Sequence, residues 1–274
     1  MLADLPSRID PLIFSIGSVA ISWYAVLWVV AFGVGYALLR LRVRRGEGGY
    51  VGAHVDDLFL AIFIGAFVGG RIGYVLFYNL AYYASHPIAI FSPYDFAAHA
   101  WTGLYGMSFH GGLIGVAIAL WIFARSKKEN VWSIADFLVP VVPLGYFFGR
   151  IGNFFNGDLY GRVTSVSWGM IFPQDPERLV RHPSQLYEAF FEGIALFCIL
   201  WPLRNRKIFP GFLSLLYLFL YGIVRLCIEF FRAPDPQLGF VFFSLTMGQI
   251  LSLAMIIISL IVAAFQWKKH HVRT

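Results

Sequence analysis

Apolar residues in this chain gather in long runs, separated by short stretches that hold most of the charge. A helix needs about 20 mostly apolar residues to cross the hydrocarbon of a bilayer. Seven segments reach or approach that length: about 19–39, 58–78, 106–124, 132–149, 184–203, 211–231 and 243–266. The third opens with glycines and a histidine, and the fourth carries Asp136, Pro140 and Pro143. Such residues are tolerated at depth where neighbouring protein re-satisfies the backbone. The pattern predicts an all-α integral membrane protein with about seven transmembrane helices. No long linker interrupts it, so the chain reads as one transmembrane domain, 1–274, with external loops at about 79–105 and 150–183.

Charge then orients the spans. Thirteen of the 21 basic residues, including every lysine, fall after the first, third, fifth and seventh segments. Cytoplasmic loops collect Lys and Arg, so the N-terminus is expected outside and the C-terminus in the cytoplasm. Composition agrees with a membrane assignment: 59% of residues are hydrophobic, 13% are charged and the mean hydropathy is +0.70. A soluble domain carries about 25% charge, and one this apolar would expose large sticky patches. Disorder is excluded by the same apolar content. Two cysteines, Cys198 and Cys227, both within apolar runs, exclude a disulfide scaffold. The net charge of +6 would suit nucleic acid, but its segregation into inter-span clusters argues against that partner. Met1 to Gly17 lacks a basic region followed by an apolar core and a cleavage site, so no signal peptide is expected. Glycines at 65, 69 and 73, and at 111 and 115, recur every four residues and read as close helix–helix contact. No internal repeat is evident, which counts against an inverted-repeat transporter.

The informative residues are polar ones inside apolar segments, where an unpaired ionisable group costs several kcal/mol, order of magnitude, and marks function by default. Tyr221, Arg225, Glu229 and Arg232 are spaced four, four and three apart, on one helical face. They read either as an ion pair locking two helices or as a buried cation for an anionic substrate, held by Glu229. A guanidinium suits phosphate because its planar fork binds two oxygens at once. The stretch Gly149 to Arg162 is the densest polar cluster, with Arg150 and Asn153 three apart, Asn156 and Asp158. A glycine-rich turn explains its glycines but not its asparagines beside an arginine. His110, in Ser108-Phe109-His110-Gly111-Gly112, is the best general-base candidate, since imidazole titrates near neutrality. Ser108 lacks the glycine-flanked elbow of a serine nucleophile. Tyr24 reads equally as an aromatic-belt residue. Arg71 and Asp136, and Gln185, Glu188 and Glu192 on one face of the fifth segment, read equally as internal partners for the arginines.

The run from Gly149 to Gly161 resembles the signature of the phosphatidylglycerol–prolipoprotein diacylglyceryl transferase family of bacteria: Gly-Arg, Asn-Phe, a second Asn, an acidic residue and a Gly at these spacings. The resemblance continues through Gly69–Tyr78, Gly106–Gly115, His182–Glu188 and Tyr221–Asp235, nearly the whole chain. One departure is Asp158, where the family usually has Glu; the charge is kept but withdrawn by about one methylene. The resemblance implies transfer of the sn-1,2-diacylglyceryl group of phosphatidylglycerol onto the lipobox cysteine thiol of a prolipoprotein. A thioether forms and glycerol phosphate leaves, without cofactor or metal. It implies a bacterial inner-membrane location, an active site toward the external leaflet, and as partners phosphatidylglycerol, the prolipoprotein signal peptide and membrane lipids. By motif it assigns catalytic positions to His110, Tyr24, Asn153, Asp158, Tyr221 and Glu229. Phosphatidylglycerol binding falls to Arg150 and Arg225, and backbone-critical positions to Gly149, Gly152 and Gly161.

This chemistry suits the residues. A thiol with a pKa near about 8.5 is a poor nucleophile until a base such as His110 removes its proton. Two arginines aimed at the departing phosphate stabilise the charge that grows there. Two other classes compete: a phosphate- or lipid-binding transporter or flippase without covalent chemistry, and an intramembrane protease. The latter needs a Ser–His or paired-Asp arrangement at depth that the chain does not clearly offer.

Overall fold

In hydrocarbon a segment must satisfy its own backbone, and a helix does so within itself. The computed structural model, which describes residues 3–16, 19–95, 100–101, 106–234, 240–242 and 244–272, turns each apolar run into a helix. In chain order these are α1 (Trp23–Arg44), α2 (Gly52–Tyr78), the short α3 (Leu80–Ser85), α4 (Phe109–Lys127), α5 (Val131–Asn156), α6 (Ser184–Leu203), α7 (Phe212–Ile228) and α8 (Met247–His271). Six of them, all but α3 and α7, are long and apolar enough to cross a membrane. The expected span at about 211–231 is the 17-residue α7, shorter than those six. Strand pairing among the described residues is limited to two-stranded pieces, such as Met170–Ile171 against Val180–Arg181. Parts of the expected loop 79–105 (96–99 and 102–105) and Asp235 lie outside the described residues.

Two helices depart from regular α geometry for local reasons. In α5 a turn of 3₁₀ helix at Val139–Val141 coincides with Pro140, and Pro143 follows at the start of the next α turn. The helix then continues through Asn156 and stops at Gly157, whose φ of +73° is a left-handed cap. Arg150 and Asn153 therefore stand on the helix rather than in an external loop beginning at 150. Helix α6 contains a π-helical stretch, Ala189–Ala195, a feature that often marks functional sites.

The chain forms two compact units. One comprises residues 14–21 and 40–134. Its centre is the crossing of α2 and α4, where Gly65, Gly69 and Gly73 meet Gly111 and Gly115. A Cβ on Gly69 or Gly73 would lie 2.7 Å from the Gly115 or Gly111 Cα. The four-residue glycine spacing is thus close backbone packing, as in other membrane helix pairs. Ser108 caps α4, accepting from the Gly111 N–H at 3.2 Å. Arg71, buried at 3% exposure, turns toward the segment after α2. It donates to the carbonyls of Ile90, Ala89 (2.9 Å) and Gly106 (3.2 Å) and to the Tyr83 hydroxyl (3.2 Å).

The other unit comprises residues 1–13, 22–39 and 135–274. Glycines again set the helix spacing. A Cβ on Gly193 of α6 would meet Phe147 Cβ of α5 at 2.7 Å, and one on Gly222 of α7 would meet Ile256 Cγ1 of α8 at 2.8 Å. Asp136 fixes the start of α7: its carboxylate accepts from the Gly211 and Ser214 N–H groups (2.8 and 2.9 Å) and from the Ser214 hydroxyl (2.8 Å). It is therefore a helix cap, and its bonds go to the backbone and a serine. Helix α8 begins with a capping box of Thr246 and Gln249. Beyond α5, Phe154, Met170 and Phe172 form a small core on which Tyr160 stacks.

Candidate functional site

Three helices of the second unit carry the charges. Helix α5 brings Tyr146, Arg150 and Asn153, α6 brings Gln185, Glu188 and Glu192, and α7 brings Tyr221 and Arg225, with Glu229 and Arg232 just past its end. Spacings of three and four keep each set on one face of its helix, so packing these faces together makes a polar interior within apolar walls.

Glu188, with no exposed surface, is the hub. Its Oε2 lies 2.9 Å from Arg150 Nε and 2.8 Å from Arg225 Nη1, and the Tyr146 hydroxyl donates to the same oxygen at 3.2 Å. Its Oε1 lies 3.4 Å from Arg232 Nη1. Arg150 also donates to Asn153 Oδ1 at 3.2 Å, and its guanidinium sits over the Tyr146 ring at 4.7 Å. Glu192 is equally buried; Arg225 Nη1 is 3.6 Å away, and neither carboxylate oxygen has a hydrogen-bond partner. A buried charge is tolerable only when paired, and here three guanidiniums and three carboxylates share one volume.

The third carboxylate, Glu229, holds the far side of Arg225, whose Nη2 donates to its Oε1 at 2.5 Å. The Thr246 hydroxyl donates to Glu229 Oε2 at 2.7 Å. Gly248 leaves this room, because a Cβ there would stand 2.5 Å from the Glu229 carboxyl carbon. Arg162 ties the segment after α5 to the same place, donating to the carbonyls of Arg232 (2.9 Å) and Glu229 (3.3 Å).

The segment after α5 folds over the start of α6. Gln185 donates to the Asp158 carbonyl at 2.6 Å and Ser184 to the Leu159 carbonyl at 3.0 Å. Gly161 must be glycine: a Cβ would lie 2.5 Å from the Phe231 carbonyl and 2.7 Å from His182 Cβ. Burial pushes the Asp158 carboxyl above its ordinary range, opposed by hydrogen bonding from the Asn153 and Asn156 amides. Burial likewise lowers the His182 imidazole, whose Nδ1 is 3.1 Å from the Tyr187 hydroxyl. Further along, Asp175 forms a two-pronged pair with Arg181 (2.6 and 2.9 Å), which holds its carboxyl below the usual range.

Of the residues singled out in the sequence, Arg150, Asn153, Arg225 and Glu229 meet in this cluster. Asp158 borders it through Asn153, and Tyr221 packs edge-on against Tyr146, rings 5.7 Å apart. Tyr24, in the first turn of α1, lies against Gly152, where a Cβ would stand 2.8 Å from the Tyr24 ring. Gly149 faces Trp28 at ordinary distance. His110 belongs to the other unit, exposed on the first turn of α4 beside Phe109. Arg71, read as a partner or catalyst, anchors the segment after α2 instead.

Sequence reading left out of its site Glu188 as hub, Tyr146, Arg162 and Thr246. Glu188 carried a signal: α6 has two acids on its inner face and no base of its own. Tyr146 carried only its place one turn before Arg150. Among the described residues, no three His, Cys, Asp or Glu side chains come together as a metal ion needs. Chemically, the cluster matches three guanidiniums, two of them from the helices α5 and α7, with three carboxylates. A guanidinium has five N–H donors, and the bonds above leave each arginine donors for an anion.

The chain is similar to known proteins over nearly its whole length. The family model described as prolipoprotein diacylglyceryl transferase matches residues 11–265. A phosphatidylglycerol–prolipoprotein diacylglyceryl transferase of Chlorobaculum tepidum is 49% identical over 254 residues, 92% of this chain and 88% of that protein. Proteins of the same description from Nitratidesulfovibrio vulgaris strain DP4 and Coxiella burnetii strain RSA 331 are each 45% identical, over 92% of this chain and 93% of theirs.

Proposed function

Since the chain belongs to the prolipoprotein diacylglyceryl transferase family, we propose that it moves the sn-1,2-diacylglyceryl group of phosphatidylglycerol onto the lipobox cysteine of prolipoproteins. In this reaction the thiol loses its proton and sulfur bonds to the glyceryl carbon that bears the phosphate. The carbon–oxygen bond breaks, and its electron pair leaves with glycerol phosphate. The product is a thioether.

The observation that carries the reading is the convergence of Arg150 and Arg225, from α5 and α7, on one buried carboxylate oxygen. Guanidiniums fixed in an apolar surround stabilise a departing phosphate without reorganising at the moment of reaction. Arg150 and Arg225 are assigned to the headgroup phosphate. Asn153 and Glu229 orient them, while Tyr24, Tyr221 and Asp158 shape the surrounding wall. His110 is assigned the thiol proton on the chemistry of imidazole. The chain is placed in the bacterial inner membrane as a multi-pass protein, N-terminus outside and C-terminus cytoplasmic, with the reaction at the external leaflet; the segregation of lysine and arginine supports that orientation. A lipid transporter using the same arginines is not favoured, because the relatives are named as transferases.

The test is a purified assay with phosphatidylglycerol labelled in the glyceryl carbons of its diacylglyceryl group and a lipobox peptide. Label joined to the cysteine by a base-stable thioether is expected. Label that only changes leaflet, or stays on the lipid, rejects the reading.

A further inference from the structure

Two helices of the second unit repeat one motif. On α5, Tyr146 precedes Arg150 by four residues, and on α7, Tyr221 precedes Arg225 by four. That spacing stacks each tyrosine one turn below its arginine. The repeats face each other: the tyrosine rings meet edge to face at 5.7 Å and 80°, and the arginines meet at Glu188 Oε2. Tyr146 touches Arg150, Tyr221 and Glu188 at once. Its ring lies under the Arg150 guanidinium at 4.7 Å, its edge meets Tyr221, and its hydroxyl donates to the oxygen that both arginines share.

We infer that Tyr146 is a positioning residue for the transfer reaction, holding Arg150 by its ring and Glu188 by its hydroxyl so that the two guanidiniums reach the lipid phosphate as one rigid pair. The inference rests on the transferase reading above. The physical reason is geometric. Glu188 Oε2 receives Arg150, Arg225 and Tyr146 at 2.9, 2.8 and 3.2 Å. A carboxylate pulled by two cations from different helices can swing toward either, and a third donor from a third direction removes that freedom. The aromatic face below Arg150 removes the corresponding freedom of the guanidinium, through a cation–π contact that strengthens when desolvated. A phenylalanine at this position would pack equally well, so the hydroxyl is the part that separates positioning from mere filling.

The experiment compares wild type, Tyr146→Phe, Tyr146→Leu, Glu188→Gln and the double variant Tyr146→Phe/Glu188→Gln in detergent, with phosphatidylglycerol and a lipobox peptide. Tyr146→Phe is expected to raise the apparent KM for the lipid about tenfold, the scale of one hydrogen bond to a charged group. Its kcat is expected to change less than about threefold, since an interaction made equally in ground and transition states appears in KM. Tyr146→Leu is expected to add a further loss, from the missing ring. The double variant is expected to behave like Glu188→Gln alone, because the hydroxyl acts through that carboxylate. A melting temperature equal to wild type for Tyr146→Phe separates these effects from misfolding. A wild-type KM in Tyr146→Phe, or additive effects in the double variant, overturns the inference while leaving the transferase reading intact. Absence of transfer by wild type overturns both.

Discussion

Arg225 Nη1 and Glu188 Oε2 stand 2.8 Å apart, joined across 37 residues of chain. The carboxylate shares that oxygen with Arg150, so one buried anion sits between two guanidiniums from different helices. Glu188 thereby keeps two like charges together in an apolar interior. Removing one partner of a buried ion pair costs about 3–5 kcal/mol, because the survivors remain desolvated. We expect Glu188→Gln to lower the melting temperature in detergent more than Glu192→Gln, whose parent carboxylate lies 3.6 Å from one guanidinium, that of Arg225, where Glu188 meets three. Equal melting temperatures for the two variants would contradict the hub.

Arg150→Ala and Arg225→Lys probe the guanidinium pair itself. Loss of one fixed donor to developing charge costs about 10²–10³ in rate at comparable sites. Lysine keeps the charge but not the planar fork. Both variants are expected to stay in the membrane and to transfer at least about a hundredfold more slowly; near-normal rates in either would remove that arginine from the chemistry.

His110 is tested by pH. If imidazole takes the thiol proton, His110→Ala loses most activity near neutrality. It then recovers as the pH rises past about 8.5, where the peptide thiol ionises unaided. A variant equally impaired across that range would assign His110 another role.

Burial raises the Asp158 carboxyl above the ordinary value of 3.8. The folded state therefore binds that proton more tightly than the unfolded chain. The stability this contributes is fully present below 3.8 and lost as pH rises through the folded value. At pH 7, Asp158→Asn is expected to melt no lower than wild type while transferring less, and Asp158→Glu to keep substantial activity. An Asn variant that melts well below wild type, or a folded but inactive Glu variant, would refute this account.

Asp175 behaves oppositely. Arg181 holds its carboxyl below 3.8, so the pair's stability is present above 3.8 and lost as pH falls through the lower folded value. Wild type is expected to lose melting temperature on acidification to pH 3 more steeply than Asp175→Asn. Parallel curves for the two proteins would contradict that linkage.

Much of this was legible in the residues. Long apolar runs announced membrane helices, and the four-residue glycine spacing in α2 and α4 announced their close crossing. The Tyr221, Arg225, Glu229, Arg232 face was visible because helical periodicity is local. What escaped required knowing which helix faces which. Glu188 looked like one polar residue among several on α6 until α5 and α7 supplied arginines from both sides. Tyr146 carries no signal in the sequence beyond its place one turn before Arg150. Asp136, an acid in an apolar run, suggested a partner for a cation, but its bonds go to the N-terminus of α7. The length of α7 was misread because Phe230 and Phe231 extend the apolar pattern past the last helical turn at Ile228. Propensity could not place that end, since the chain there turns to pair Arg232 with Gly161.

The acids of α6 also bear on how the protein is made. Between Ser184 and Leu203 that helix holds Glu188 and Glu192 and no basic residue. An ionised acid carried into hydrocarbon by a solitary span costs on the order of a few kcal/mol unless it is paired. The arginine that offsets them first is on α5, synthesised earlier; the second is on α7, synthesised later. Nascent α6 therefore has reason to leave the translocon in company with α5, and to wait at the lipid boundary for α7 before it settles.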